Sequence, residues 1–180
     1  MACTPKTLHG IAQNCEGNLG GISAVYIIDH QYVTAIATGI TDNETEQEEV
    51  TGITVTSGHS FIKYYVKKNT SSLTKTLTVS DNGSSYVTSD LALVFGRMDA
   101  QKRLEMNALA LNDLIVIAQD ANGIFWLLGS LENPVSMSAG AGETGVQKSD
   151  NNQYTTTLSF ESPDFPYTIK KEVAEALIGA

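Results

Sequence analysis

Cations are scarce in this chain: 11 Lys and Arg stand against 20 Asp and Glu in 180 residues, a formal net charge of −9. Binding nucleic acid by neutralising phosphates requires clustered Lys and Arg, so no gripping DNA or RNA site is expected, although an acidic chain can still surround DNA without holding it. Cysteine is nearly absent. Cys3 and Cys15 are too few and too isolated for a disulfide scaffold or a four-ligand zinc site, and both read as free thiols. No apolar run approaches the ~18 residues of a membrane span. The start, "MACTPKTLHG", lacks the apolar core of a signal peptide, so the chain is expected to stay in the cytoplasm of the cell that makes it.

Catalytic and ligand motifs are missing as well. No G-x-S-x-G occurs and neither cysteine has a motif around it. His9, His30 and His59 fall in three separate segments with no i, i+4 pairing. "GAGETG", Gly140 to Gly145, matches G-x-G-x-x-G, but "VQKSDNNQ" after it opens a helix poorly, and Val146 stands where a P-loop needs lysine. It reads as a flexible loop. No catalytic residue, cofactor or metal is expected.

What the chain does contain is β pattern with one clear helix, over a length expected to form one domain, residues 1–180. Residues 1–21 read as an N-terminal arm, "NCEGNLGG" having no periodicity. "ISAVYIID" and "QYVTAIAT" suggest a hairpin, and residues 39–50, "GITDNETEQEEV", read as a long acidic loop. "VTGITVTS", "HSFIKYYVKK", "SSLTKTLTVS" and "YVTSDLALVF" suggest an antiparallel meander, its last turn at Asn82-Gly83. "NDLIVIAQDANGIFWLLGS" is a hairpin carrying Trp126, residues 130–152 read as loop, and "QYTTTLSF" is a final strand with Tyr154, Thr156, Leu158 and Phe160 on one face. Residues 167–180 form a C-terminal tail, short helix or extended. Without β-α-β-α alternation, a doubly wound parallel sheet is not expected.

Two stretches stand out. In "MDAQKRLEMNALAL", Asp99 can cap a helix whose Ala100, Leu104, Ala108 and Leu111 recur at steps of four, four and three; that stripe is expected to pack on a sheet, leaving Lys102, Arg103 and Glu105 wet. In the acidic loop, Asp42, Glu44, Glu46 and Glu48 occupy every second position with Glu49 adjacent, so an extended chain would project four carboxylates to one side. The calcium-loop order D-x-[DN]-x-[DN]-G is absent, which leaves a solvated loop as the plain reading.

The run "DLALVFGRMDAQKRLEMNALALNDLIVIAQDANGIFWLLGS", a Gly-rich loop, and then "NNQYTTTLSFESPDFP" resemble the tail tube proteins of long-tailed phages, especially those infecting gut Bacteroidetes, over the chain from about Ser57 onward. The resemblance implies an antiparallel β-sandwich or barrel with one flanking α-helix. It implies six copies closing a ring, rings stacking into a tube in the virion tail, and joined sheets lining a channel that DNA traverses without specific binding. Partners would be further copies, the tape measure and tail-tip proteins, with no membrane. In that family a loop between early strands and an N-terminal arm reach the next ring; residues 39–50 (with Asp42, Glu44, Glu46, Glu48 and Glu49) and 1–21 occupy those places. Lys63 and Lys67 are then expected outside the channel or paired with acids. Alternatives stay open: a tail completion, baseplate or injectosome tube subunit, a carbohydrate-binding β-sandwich using Tyr64, Tyr65 or Trp126, or an enzyme of no nameable site.

Overall fold

Along the strands, apolar residues fall into two types, alternating runs and unbroken ones, and the fold places each where that pattern requires. The computed structural model describes residues 8–11, 15–42, 44, 46–81 and 83–179. Cys3, Asn82 and the other residues of 1–7, 12–14, 43, 45 and 180 lie outside them. In chain order come β1 (Ile22–Asp29), β2 (Val33–Asp42), β3 (Gln47–Val55), β4 (Ile62–Tyr64), β5 (Ser72–Val79), β6 (Ser85–Gly96), α1 (Ala100–Leu111), β7 (Leu114–Asp120) and β8 (Phe125–Leu128), followed by β9 (Ser136–Glu143), β10 (Gln153–Ser162), β11 (Thr168–Ile169) and α2 (Lys171–Ile178).

The strands form two sheets, a seven-stranded one in the order β2-β3-β11-β8-β7-β1-β4 and a four-stranded one in the order β5-β6-β10-β9. Neither closes into a barrel. One core lies between the sheets, built from Val25, Ile27, Leu91, Leu93, Val116, Leu128, Leu158 and their neighbours. A second lies on the other face of the seven-stranded sheet, where Tyr26, Ile28, Val50, Ile115, Ile117 and Phe125 meet Ala174 of α2. Strands β1 and β7 are therefore covered on both faces, which is why "ISAVYIID" and "LIVIAQD" are nearly continuous apolar runs. β6 and β10 face the core on one side only, and they alternate: Val87, Leu91, Leu93 and Phe95 are buried, as are Thr156, Leu158 and Phe160.

Several expectations need correction. β1 and β2 are not a hairpin: Asp29 accepts from the Gln31 N–H at 3.1 Å and caps a 3-10 turn, His30–Tyr32, after which β1 pairs with β7 and β4 while β2 pairs with β3. The meander reduces to one hairpin, β5–β6, since β3 and β4 join the other sheet. Residues 39–50 are no long loop, because β2 and β3 pair from Val33↔Val55 out to Asp42↔Gln47. "SMSAGAGE" is strand β9 and not loop. Its Gly140 and Gly142 sit where a Cβ would meet Met137 Cε and Tyr154 Cε1, so glycine leaves room for those side chains against the inter-sheet core. The C-terminal residues form a second helix, α2.

Candidate assembly surfaces

The outward face of the four-stranded sheet follows from register. Leu73↔Leu91 and Leu158↔Leu91 set the inward series, so the outward series is Ser72, Thr74, Thr76 and Thr78 on β5, then Tyr86, Thr88, Asp90, Ala92 and Val94 on β6. β10 adds Gln153, Thr155, Thr157, Ser159 and Glu161, and β9 adds Ala139, Ala141 and Glu143. Hydroxyls dominate this surface, and its strands contribute three carboxylates and no Lys or Arg. Asp90 accepts from the Ser159 hydroxyl at 2.7 Å. The cation of β5, Lys75, points the other way. Lys67 stands beyond the start of β5, where its Nζ donates to Asn151 Oδ1 at 2.9 Å. Both lateral edges, β5 and β9, end the sheet.

The β2–β3 hairpin holds the predicted acidic residues but not in one row. The chain reverses between Asp42 and Gln47, with Glu46 in the left-handed region at φ 52, so the carboxylates are divided between two strands and a turn. Asp42 accepts from the Glu44 N–H at 2.8 Å, and Glu48 from the Thr38 hydroxyl at 2.7 Å. Glu49 accepts from Thr168 at 3.0 Å and ties the hairpin to β11. Glu46 lies 3.7 Å from His9, bringing the arm against the hairpin tip. Only from Val50 inward does the hairpin enter the core.

Helix α1 is placed as expected but rotated. The Asp99 carboxylate caps it, accepting from the Lys102 N–H at 2.8 Å, and its pKa lies below the ordinary value because Lys102 bonds it. The buried residues are Met106 and Leu109, with Lys102 and Glu105 half-buried beside them, whereas all four members of the predicted packing stripe, Ala100, Leu104, Ala108 and Leu111, face solvent. The cause is tertiary. Tyr64 at the edge of the sandwich donates its hydroxyl to Glu105 at 2.7 Å, and Met106 enters the core near Gly140, which together fix the opposite face inward. Burial and the bond to Glu105 push the Tyr64 pKa up.

The remaining candidates do not converge on chemistry. His30 Nε2 lies 2.9 Å from the Leu131 carbonyl, and His59 stacks on Tyr32 with ring centroids 3.5 Å apart. Among the described residues no three of His, Cys, Asp and Glu come together as a metal site. "GAGETG" leads from β9 into bends, where Asp150 accepts from the Val146 and Gln147 N–H groups; no helix follows for a phosphate to face. Of the aromatics a sugar-binding surface would use, Trp126 has Lys75 Nζ seated over its ring at 2.8 Å and Tyr64 has its hydroxyl bonded to Glu105. Tyr65 is 79% exposed, with Lys63 Nζ over its ring at 4.9 Å. Among the described residues, no helix is long and apolar enough to cross a membrane. Comparison of the chain with family models, with curated proteins and with solved structures gives no match.

Proposed function

We propose that this chain is a self-assembling, non-enzymatic structural subunit of the phage tail tube kind, in which copies of the four-stranded sheet join edge to edge around a DNA-conducting channel. The observation that carries the reading is the outward face of that sheet, cation-free along its strands and lined by hydroxyls and carboxylates, with both lateral edges open. A wall that DNA must slide past has to avoid Lys and Arg, because each phosphate contact releases counterions and retains the polyanion. Unpaired strand edges invite pairing with another chain, and joining β5 of one copy to β9 of the next satisfies both. Ring closure follows if the rotation per contact closes, with six copies as the family resemblance implies. The β2–β3 hairpin then reaches the next ring. The station on the tail, tube or completion or baseplate, is a choice among subunits of this same kind.

The test is direct. Concentrated protein should form rings and tubes with a central channel under negative stain. Thr157→Cys, placed on the outward face in a Cys3→Ser, Cys15→Ser background, should react with a bulky maleimide in dissociated protein and resist it once assembled. A chain that remains monomeric at every concentration, or assembles with residue 157 fully reactive, overturns the reading.

A further inference from the structure

Among the described residues two lysines are half-buried, Lys75 and Lys102. Lys102 bonds the Asp99 carboxylate, whereas no hydrogen-bond acceptor or ion-pair partner reaches Lys75 Nζ, which rests on the Trp126 ring 2.8 Å from its centroid. Register places Ser89 of β6 directly opposite Lys75, and the Ser89 hydroxyl, fully buried, has no hydrogen-bond partner either. Buried polar groups are ordinarily satisfied. One register pair on the inward side of the sheet thus carries an amine and a hydroxyl whose bonding is unmet.

The surrounding chain leaves that amine within reach of a small molecule. A cleft of about 350 Å³ lies beside β5, the terminal strand of its sheet, with Leu73 and Lys75 on one side and Asp120 and Trp126 on the other. The segment ahead of β1 forms a further wall, pinned in place: the Leu19 N–H donates to Asn122 Oδ1 at 2.8 Å, and the Ala121 N–H donates to the Gly21 carbonyl at 3.0 Å. Asp120, the carboxylate of the cleft, is already engaged by the Asn122 and Ile124 N–H groups and by the indole. Burial disfavours the ammonium and pushes its pKa down to about 8. At about pH 7.5 roughly a quarter of Lys75 is therefore free amine, against roughly a thousandth of a lysine at the ordinary value.

We propose that Lys75 is a site of covalent acylation, its amine attacking the carbonyl carbon of a small acyl phosphate admitted to this cleft. A C–N bond forms, the C–O bond to the phosphate breaks, inorganic phosphate leaves, and the amine gives up one proton to solvent. A lysine desolvated in a pocket is suited to that attack. The size of the cleft restricts the donor to a short acyl group. The product amide is uncharged, which removes the half-buried cation, and its carbonyl brings an acceptor into the gap that holds the Ser89 hydroxyl. The inference concerns chemistry within one chain and does not rest on assembly.

Protein from the fraction that sediments as single chains, incubated with acetyl phosphate at about pH 7.5 and mapped by mass spectrometry, should be acetylated at Lys75 about tenfold faster than at Lys171, because the gain in free amine exceeds the loss of nucleophilicity in a weaker base. Lys171 is an exposed control beside Glu175. The preference should vanish in urea, and Lys75→Arg should remove the fast-labelled peptide while the other lysines keep their wild-type rates. Trp126 fluorescence of the acetylated chain should no longer change as pH crosses the midpoint of the lysine. Acetylation at Lys75 no faster than at Lys171, or a preference that survives unfolding, overturns the site. Tubes formed by a chain unreactive at Lys75 would leave the assembly reading standing without it, and fast acetylation of a chain that never assembles would keep the site and remove the tube.

Discussion

Lys75 points inward from a strand whose outward neighbours are threonines, and its ammonium rests on the face of Trp126 while Asp120 accepts from the indole Nε1 at 3.3 Å. Burial pushes its pKa from 10.5 down to about 8, against the opposing pull of Asp120. The folded chain therefore gives up this proton more readily than the unfolded one. Between pH 8 and 10.5 the unfolded state binds more protons, so this lysine makes stability rise with pH across that window; the contribution is lost as pH falls through 8. Since Trp126 is the chain's one tryptophan, its fluorescence should titrate with a midpoint near 8, and Lys75→Met should abolish both that transition and the lysine's part of the stability slope. A midpoint above 10 would show the ammonium to be fully hydrated. The alternation of "SLTKTLTV" groups Lys75 with Leu73 and Leu77, but neither the edge position of the strand nor the partner was legible, because sheet order is tertiary and Trp126 comes from the other sheet.

In α1 the sequence and the fold part company over which face is inward. Leu104→Asp at an exposed site should change stability by no more than about 0.5 kcal/mol, whereas Leu109→Asp, at a position 2% exposed, should cost several kcal/mol or prevent folding, because a buried carboxylate finds no partner there. Equal melting curves for the two variants would reverse the orientation. The capping aspartate, the helix and its approximate ends were legible, being set within one or two turns of chain. The buried face was not. Both faces carry apolar residues, and Tyr64, Gly140 and the core between the sheets, all distant in sequence, decide between them. The same holds for β1: its unbroken apolar run announced burial, yet not that its partners would be β7 and β4.

The proposed assembly divides the molecule into what folds it and what extends from it. Replacing residues 41–48 by a short Gly-Ser turn removes Asp42, Glu44, Glu46 and Glu48 but keeps Glu49 on Thr168 and Val50 in the core. Shortening a surface connection costs little entropy. The shortened chain should keep its melting temperature within a few degrees and still form rings, while tubes under negative stain become rare. Tubes of normal length would show the acidic tip to be a solvated turn and no more.

Local chemistry by itself determined a mainly β chain, the alternating strands β6 and β10, the β5–β6 and β7–β8 hairpins and the capped helix, because side-chain period and turn residues act over a few positions. The surplus of acid and the dearth of cations were likewise properties of the sequence alone. Only the tertiary structure decided the division into two sheets, the second core beneath α2, the hairpin built from an apparent loop, and the outward face of α1. Each of these turns on which distant surface covers a given face, and burial free energy depends on that cover, not on the order of residues along the chain. The gathering of the hydroxyl and acidic series onto one wall belongs to the same class: four strands, whose outward residues run from Ser72 to Glu161, share it through register alone.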